Sequence, residues 1–94
     1  NLAPTLLCRN LNVHSKRYLG ADKQHLKLEL VDAETGCLFS AIGFNMGHHK
    51  AIIAKNEAID ILAHLELNHY RGTSTKQLRL LDIKLNSDLK NPQS

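Results

Sequence analysis

The segment from Ala58 to Leu85 constrains the fold most strongly, because it is patterned as two consecutive β-strands. In its first half, apolar residues fall at every second position, as in a strand with one buried face. These residues are Ile59, Ile61, Ala63, Leu65 and Leu67. In its second half the alternation changes phase between Leu80 and Leu81, which predicts a β-bulge that bends the strand as a closing barrel requires. The segment therefore predicts an antiparallel hairpin with a basic and aromatic turn.

A first strand is predicted much earlier, from Leu6 to Lys16, because apolar and polar residues alternate there as well. The pattern places Leu7, Leu11 and Val13 on the buried face. Arg9 falls on the same side and interrupts it, which predicts a bulge or a strand end at this position.

Two more strands and a short helix lie between the first strand and the hairpin. His25 to Asp32 alternates cleanly and predicts a second strand, while Cys37 to Phe44 is apolar on both faces and predicts a central strand. In this third strand Gly43 is expected to let another backbone come close. His48 to Lys55 predicts a helix of about two turns, ended by Asn56 in a left-handed conformation.

Five strands with one short helix between the third and fourth are typical of the OB-fold, an all-β, five-stranded barrel. The predicted domain spans residues 1–85, and residues 86–94 are predicted to form a flexible tail. OB-folds bind ligands across the second and third strands, between the first-to-second and fourth-to-fifth loops. Here those loops read KRYLGADKQ and NHYRGTSTK, and each contains one of the two tyrosines beside an arginine.

Composition sets the limits of this prediction. The chain of 94 residues has 43% hydrophobic residues but four aromatic ones, so the core is expected to be aliphatic with Phe39 and Phe44 inside it. The formal net charge of +3 favours a polyanionic partner only weakly. Cys8 and Cys37 lack the spacing of a zinc site and predict reduced thiols in a cytoplasmic protein. No apolar run approaches the roughly 20 residues of a membrane span, so no membrane partner is predicted.

Three segments carry a resemblance to a known family: HLKLEL at residues 25–30, AIGFNMG at 41–47 and LELNHYRGTSTKQLRLLDI at 65–83. They resemble the OB domain of RecJ-type single-strand-specific exonucleases, which belong to the DHH phosphoesterase superfamily. The family commonly has tryptophan as the turn aromatic, whereas this chain has Tyr70. It often opens the domain with Asn-Pro-x-Pro, of which Asn1 and Pro4 remain here.

The resemblance implies that the parent enzyme degrades single-stranded DNA from its 5′ end, in DNA repair and recombination. It also implies a divalent-metal centre, with Mn²⁺ or Mg²⁺, built by separate catalytic domains. The chain begins at Asn1 without a methionine and looks like a piece of a longer protein. We therefore predict no catalytic residue, no bound metal, no cofactor and no nuclease activity for these residues alone.

Binding of single strands needs cationic side chains along the phosphates and rings on which bases stack. The candidate nucleic-acid-binding residues are Lys16, Arg17, Tyr18, Lys27, Asn68, Tyr70, Arg71, Lys76 and Arg79. For any single lysine a solvated surface is the better interpretation, and packing over the hairpin explains Tyr70 about as well as stacking does. His64, Glu66 and Asn68 share a strand face, but an outer polar face explains them without a metal.

A second functional class stays open from the sequence. The barrel could serve as an interaction module that packs against the catalytic domains of the parent chain or against a partner such as a single-strand-binding protein. Such a module should carry an exposed apolar patch, for which Leu62 and Val31 are the candidates on otherwise polar faces.

Overall fold

The computed structural model describes residues 4–86, apart from the side chains of Asn68 and Tyr70. The strands are β1 (Thr5–Leu19), β2 (His25–Asp32), β3 (Leu38–Gly43), β4 (Ile59–Tyr70) and β5 (Thr73–Leu85). A 3₁₀ turn (Gly47–His49) leads into the short helix α1 (Lys50–Ala54), between β3 and β4. The strands form a closed barrel in the order β1-β2-β3-β5-β4. This architecture is an OB-fold and confirms the predicted fold class.

The barrel closes through one short parallel seam between β3 and β5. All other neighbouring strands pair antiparallel, and β4 with β5 forms the longest of these ladders. At the seam, the register joins Ala41 to Leu78 and Ile42 to Arg79. The sheet is therefore closed into a barrel by two residue pairs at this seam.

The core is aliphatic, as the composition predicts. Its largest fully buried side chains are Leu11, Leu26, Leu28, Leu30, Ile59 and Ile61. On β2 the three leucines alternate with more exposed residues, which confirms the predicted second strand. Phe39 packs partly buried against this core. The barrel interior is thus filled by alternating strand residues with little aromatic volume.

Strand β1 changes phase at a bulge, which corrects the predicted core assignment of Leu7. Cys8 lies opposite Ile61 and Leu11 opposite Ile59, so that Arg9 and Asn10 together oppose one residue of β4. Asn10 has a φ of 61°, which fits a bulged position. The bulge predicted at Arg9 is confirmed. Leu7 precedes it and faces outward with 58% exposure, because the bulge reverses the phase that holds from Leu11 onward.

The bulge predicted in β5 is also confirmed. Leu62 pairs with Asp82 and Ala63 with Leu80, which leaves Leu81 as the extra residue. Leu80 is buried, whereas Leu81 is 44% exposed. The change of alternation read from the sequence therefore marks a real change in which side chains enter the barrel.

The turn between β4 and β5 is shorter than the sequence predicts. The two strands stay paired out to Tyr70 and Thr73, leaving a two-residue connection. Arg71 and Gly72 both have positive φ, at 51° and 79°, which is the pattern of a type I′ hairpin turn. The strand ends beyond the barrel form a ribbon that we call the arm (residues 65–77). Leu67 is 56% exposed on it, so the apolar alternation continues past the core.

The short helix ends as predicted, but the role of Gly43 differs. Asn56 has a φ of 57° just after α1, confirming the left-handed terminator. A Cβ added to Gly43 would lie 2.8 Å from Met46 Sδ and 3.2 Å from Leu80 Cδ1. The expected close approach of another backbone at Gly43 is wrong, since packed side chains occupy that space instead.

A buried carboxylate fastens Asn86, the residue that follows β5, to the barrel. Asp60 is 3% exposed, and its Oδ1 accepts the Asn10 N–H at 2.9 Å and the Asn86 Nδ2 at 2.8 Å. The Asn86 N–H also donates to the Ala58 carbonyl at 2.9 Å. Asn86, which the sequence assigned to the tail, is therefore buried in the fold, while residues 87–94 of that tail lie outside the described residues.

Gly47 supports a testable prediction about stability. A Cβ on Gly47 would lie 2.5 Å from the Lys23 carbonyl oxygen, and the Gly47 N–H donates to the Gln24 carbonyl at 2.8 Å. We expect Gly47→Ala to lower the free energy of unfolding by about 2 kcal/mol, because the backbone at Lys23 or Gly47 must move to make room for the added Cβ. Urea unfolding followed by circular dichroism measures this. Gly36→Ala is the control: no atom crowds its Cβ, and its positive φ should cost about 1 kcal/mol. Equal losses in both variants would contradict the steric argument.

Candidate nucleic-acid interface

One row of outward-facing residues crosses the whole barrel. The strand registers pair Arg17 with Lys27, Lys27 with Ile42, Ile42 with Arg79, and Arg79 with His64. Directly paired residues share a sheet face, and the chain neighbours of Lys27, Ile42 and Arg79 are buried. The row therefore lies on the outer surface. We call these five residues the basic row.

The basic row concentrates positive charge on neighbouring strands. Arg17 and Lys27 are direct cross-strand partners, an arrangement in which like charges repel. Arg79 lies two strands from Lys27, about 10 Å away at the usual strand spacing of about 4.8 Å. Its Nη1 is 3.6 Å from Glu66 Oε2, so part of its charge is balanced within the chain. An anion placed over the row would relieve the repulsion between Arg17 and Lys27.

An exposed aromatic ring lies at the edge of the basic row. Phe44 is 48% exposed; its ring centroid is 5.4 Å from the Arg79 guanidinium carbon and 5.5 Å from the His25 ring, which it meets edge-to-face. The prediction that Phe44 belongs to the core is wrong, because it follows buried Gly43 and shares the outward phase of Ile42. That phase was the signal in the sequence that could have identified it.

Tyr18 and Lys16 lie away from the basic row, although the sequence grouped them with Arg17. Tyr18 pairs with fully buried Leu26 and packs against the core, with Lys50 Nζ 5.3 Å from the centre of its ring. Burial raises the pKa of the Tyr18 hydroxyl. Lys16 is exposed next to Ile53 of α1 and lines a shallow hollow there. Because successive side chains of β1 alternate between the two faces of the sheet, Arg17 lies on a different face from Lys16 and Tyr18.

Comparison with known families decides where this barrel belongs. A family model described as the RecJ OB domain matches residues 1–82. The chain belongs to the RecJ OB domain family. This confirms the resemblance that the three sequence segments indicated. No curated protein matches this RecJ OB domain in sequence.

Solved structures similar to this RecJ OB domain share its fold at low sequence identity. SSBb, the second single-stranded DNA-binding protein of Mycobacterium smegmatis, matches with a TM-score of 0.73 and 13% identity, covering 94% of this chain and 93% of that one. Rim1, a mitochondrial single-stranded DNA-binding protein of S. cerevisiae, matches with a TM-score of 0.66 and 12% identity, over 88% and 95%. A small single-stranded DNA-binding protein of Streptomyces coelicolor matches at 0.57 and 9%, over 90% and 94%.

The remaining candidate residues of this RecJ OB domain lie on the arm. Lys76 is exposed and pairs with Leu67, in the phase of Leu78 and not in that of Arg79. Arg71 occupies the turn at the tip. The backbones of Asn68 and Tyr70 belong to β4, and their side chains lie outside the described part of the structure. Lys76 therefore lies on the arm, in the opposite phase of β5 from Arg79, and is not part of the basic row.

Two other kinds of site, a metal site and a membrane-spanning helix, are absent from the described residues. Within residues 4–86 no group of three or more His, Cys, Asp or Glu side chains is placed to hold a metal ion. Across the same part of this RecJ OB domain, no helix has the length and apolar character needed to cross a membrane.

Proposed function

We propose that this chain is the single-stranded DNA-binding domain of a RecJ-like 5′ to 3′ exonuclease that works in the cytoplasm. The observation that carries the proposal is the basic row with Phe44 beside it. Membership of the RecJ OB domain family supports it, and so does the similarity of the fold to single-stranded DNA-binding proteins.

In this proposal the domain holds DNA through its phosphates and one stacked base. Arg17, Lys27 and Arg79 supply positive charge to the backbone, and the exposed ring of Phe44 accepts a base on its π face. Neither contact distinguishes between bases, so the proposed binding does not depend on the DNA sequence. The parent's catalytic domains would hold the Mn²⁺ or Mg²⁺ ion and cleave the strand that this domain delivers.

A second candidate function, the interaction module, is favoured by a different surface. Leu7, Leu62 and Leu81 are 58%, 37% and 44% exposed on β1, β4 and β5. Such a patch suits packing against the parent's catalytic domains or against a single-strand-binding protein. Of the two residues expected to form it, Leu62 belongs to this patch, while Val31 is half-buried on β2.

The proposed DNA contact predicts a specific change in salt dependence. We expect Lys27→Ala and Arg79→Ala each to reduce the slope of log affinity against log salt by about 0.7, since each removes one phosphate contact. Fluorescence anisotropy of labelled oligo-dT over a series of salt concentrations measures this slope. Lys84→Ala, which removes an exposed charge outside the row, is the matched control and should leave it unchanged.

Two outcomes would contradict the proposal. The first is an absence of oligo-dT binding by the wild-type domain even at low salt. The second is an equal loss of slope in Lys84→Ala and Lys27→Ala, because the contact would then follow net charge and not the basic row.

A further inference from the structure

His25 is a half-buried residue of β2 that lies beside the basic row without belonging to it. Its chain neighbour Leu26 is fully buried, so the His25 side chain lies on the outer face of the sheet, as that of Lys27 does. Residues two apart on a strand are separated by about 7 Å, which places His25 next to the row. Its ring also meets the Phe44 ring edge-to-face, with the centroids 5.5 Å apart and 74° between the planes. His25 therefore borders both parts of the proposed DNA site.

A hydrogen bond fixes the orientation of the His25 ring. The Asn45 backbone N–H lies 3.1 Å from His25 Nδ1. A backbone N–H can only donate, so Nδ1 accepts with its lone pair and the neutral ring carries its proton on Nε2. The plane of the imidazole is thus held by the residue that follows Phe44 in the chain.

The turn that carries Phe44 is held to the start of β2 at two points. Asn45 has a φ of 58°, in the left-handed region, at the place where the chain leaves β3. Its N–H donates to His25, and two residues later the Gly47 N–H donates to the Gln24 carbonyl at 2.8 Å. These bonds restrain the backbone beside Phe44, whereas the contact between the two rings restrains the Phe44 side chain itself.

An exposed ring gains from such a contact when it has to bind a ligand. Phe44 is 48% exposed, and a side chain that is ordered only on binding loses conformational freedom at that step. Edge-to-face packing is a favoured geometry of aromatic pairs, so His25 orders the ring in advance. Arg79, 5.4 Å from the ring centroid, is the other described residue that contacts it.

We propose that His25 is a positioning residue of the DNA-binding site, which orders the Phe44 ring before a base stacks on it. The inference rests on the proposed function, because it requires DNA bound at Phe44. His25 acts through Phe44 and contacts no phosphate, so it raises the affinity for DNA without contributing charge.

The test is a double-mutant cycle on the affinity for oligo-dT, measured by fluorescence anisotropy over a series of salt concentrations. His25→Asn keeps an acceptor bonded to Cγ, as Nδ1 is, and removes the ring. We expect it to weaken binding about three- to tenfold in the wild-type background and to have no effect when combined with Phe44→Ala. The salt slope should keep its wild-type value, since no phosphate contact is lost.

Two further variants separate the ring contact from folding and from loss of a histidine in general. His25→Phe restores an aromatic edge and should bind within about twofold of wild type. His14→Ala removes an exposed histidine of β1 and should bind as wild type does. Circular dichroism should show every variant folded, and long-range ¹H–¹⁵N NMR spectra at mildly alkaline pH should show His25 Nδ1 unprotonated.

The outcomes distinguish this inference from the function on which it rests. Wild-type affinity in His25→Asn, with Phe44→Ala still weakened, would overturn the positioning role and leave the stacking proposal standing. Equal losses from His25→Asn in both backgrounds, a reduced salt slope, or no recovery in His25→Phe would show that His25 does not act through the Phe44 ring. A protonated Nδ1 would contradict the hydrogen bond from Asn45. Wild-type affinity in Phe44→Ala, or no binding by the wild-type chain, would overturn both proposals.

Discussion

Replacing Phe44 with alanine is expected to weaken binding of oligo-dT about 5- to 150-fold at constant salt. The range follows from about 1 to 3 kcal/mol for one base stacked on an aromatic ring. Phe44 is 48% exposed, so much of its ring is available to a base, and Arg79 lies over it as a second, cationic contact. Anisotropy titration of labelled oligo-dT measures the affinity.

Conservative substitutions separate stacking from simple apolar contact at this position. Phe44→Tyr keeps the ring and should bind within about twofold of wild type, whereas Phe44→Leu should resemble Phe44→Ala. The salt slope should stay constant in all three variants, because no phosphate contact is removed. Wild-type affinity in Phe44→Ala, or full affinity in Phe44→Leu, would show that the ring does not stack on a base.

Replacing Asp60 with alanine is expected to lower the free energy of unfolding by about 3 kcal/mol. The substitution removes the acceptor of the Asn10 N–H and the Asn86 amide, and it leaves both donors without their partner. It also opens space at a position that is 3% exposed. Urea unfolding monitored by circular dichroism measures the loss through the shift of the midpoint.

The Asp60 prediction has two controls. Asp60→Asn retains a carbonyl oxygen that can replace Oδ1, so we expect it to lose about half as much stability. Asp22→Ala, in the exposed turn between β1 and β2, should change stability by less than about 0.5 kcal/mol. If Asp60→Ala is as stable as Asp22→Ala, the hydrogen bonds of Asp60 do not hold Asn86 and the Asn10 bulge to β4.

The strands were predictable because burial on a pleated strand repeats every two residues. Leu26, Leu28 and Leu30 are fully buried, and the phase change at Leu81 is the bulge that bends β5. The extent of the arm was not predictable, because Leu67 continues the apolar alternation beyond the barrel where no core exists. A local pattern specifies which face of a strand is apolar, but not where the core ends.

The candidate site was predictable in its charges and not in its arrangement. Arg17, Lys27 and Arg79 were all among the candidates from the sequence, but their alignment depends on the parallel pairing of β3 with β5, which joins distant parts of the chain. The stacking role expected of Tyr18 is better matched by Phe44, because one residue of phase turns the first ring inward and the second outward. The alternation of β4 predicts Asp60 on the polar outer face, whereas in the structure it is buried and hydrogen-bonded to Asn86.

The DNA contact proposed for the basic row would cross the short parallel seam between β3 and β5. Two residue pairs join these strands, so the seam is where local opening costs least. Lys27 lies on one side of it and Arg79 on the other, so a single strand bound to both, as proposed, would span the seam. Such a ligand would bind the closed barrel in preference to the opened one, and its binding energy would then add to the energy of closure. In the proposed complex, DNA binding and the closed state of the barrel would therefore stabilise each other.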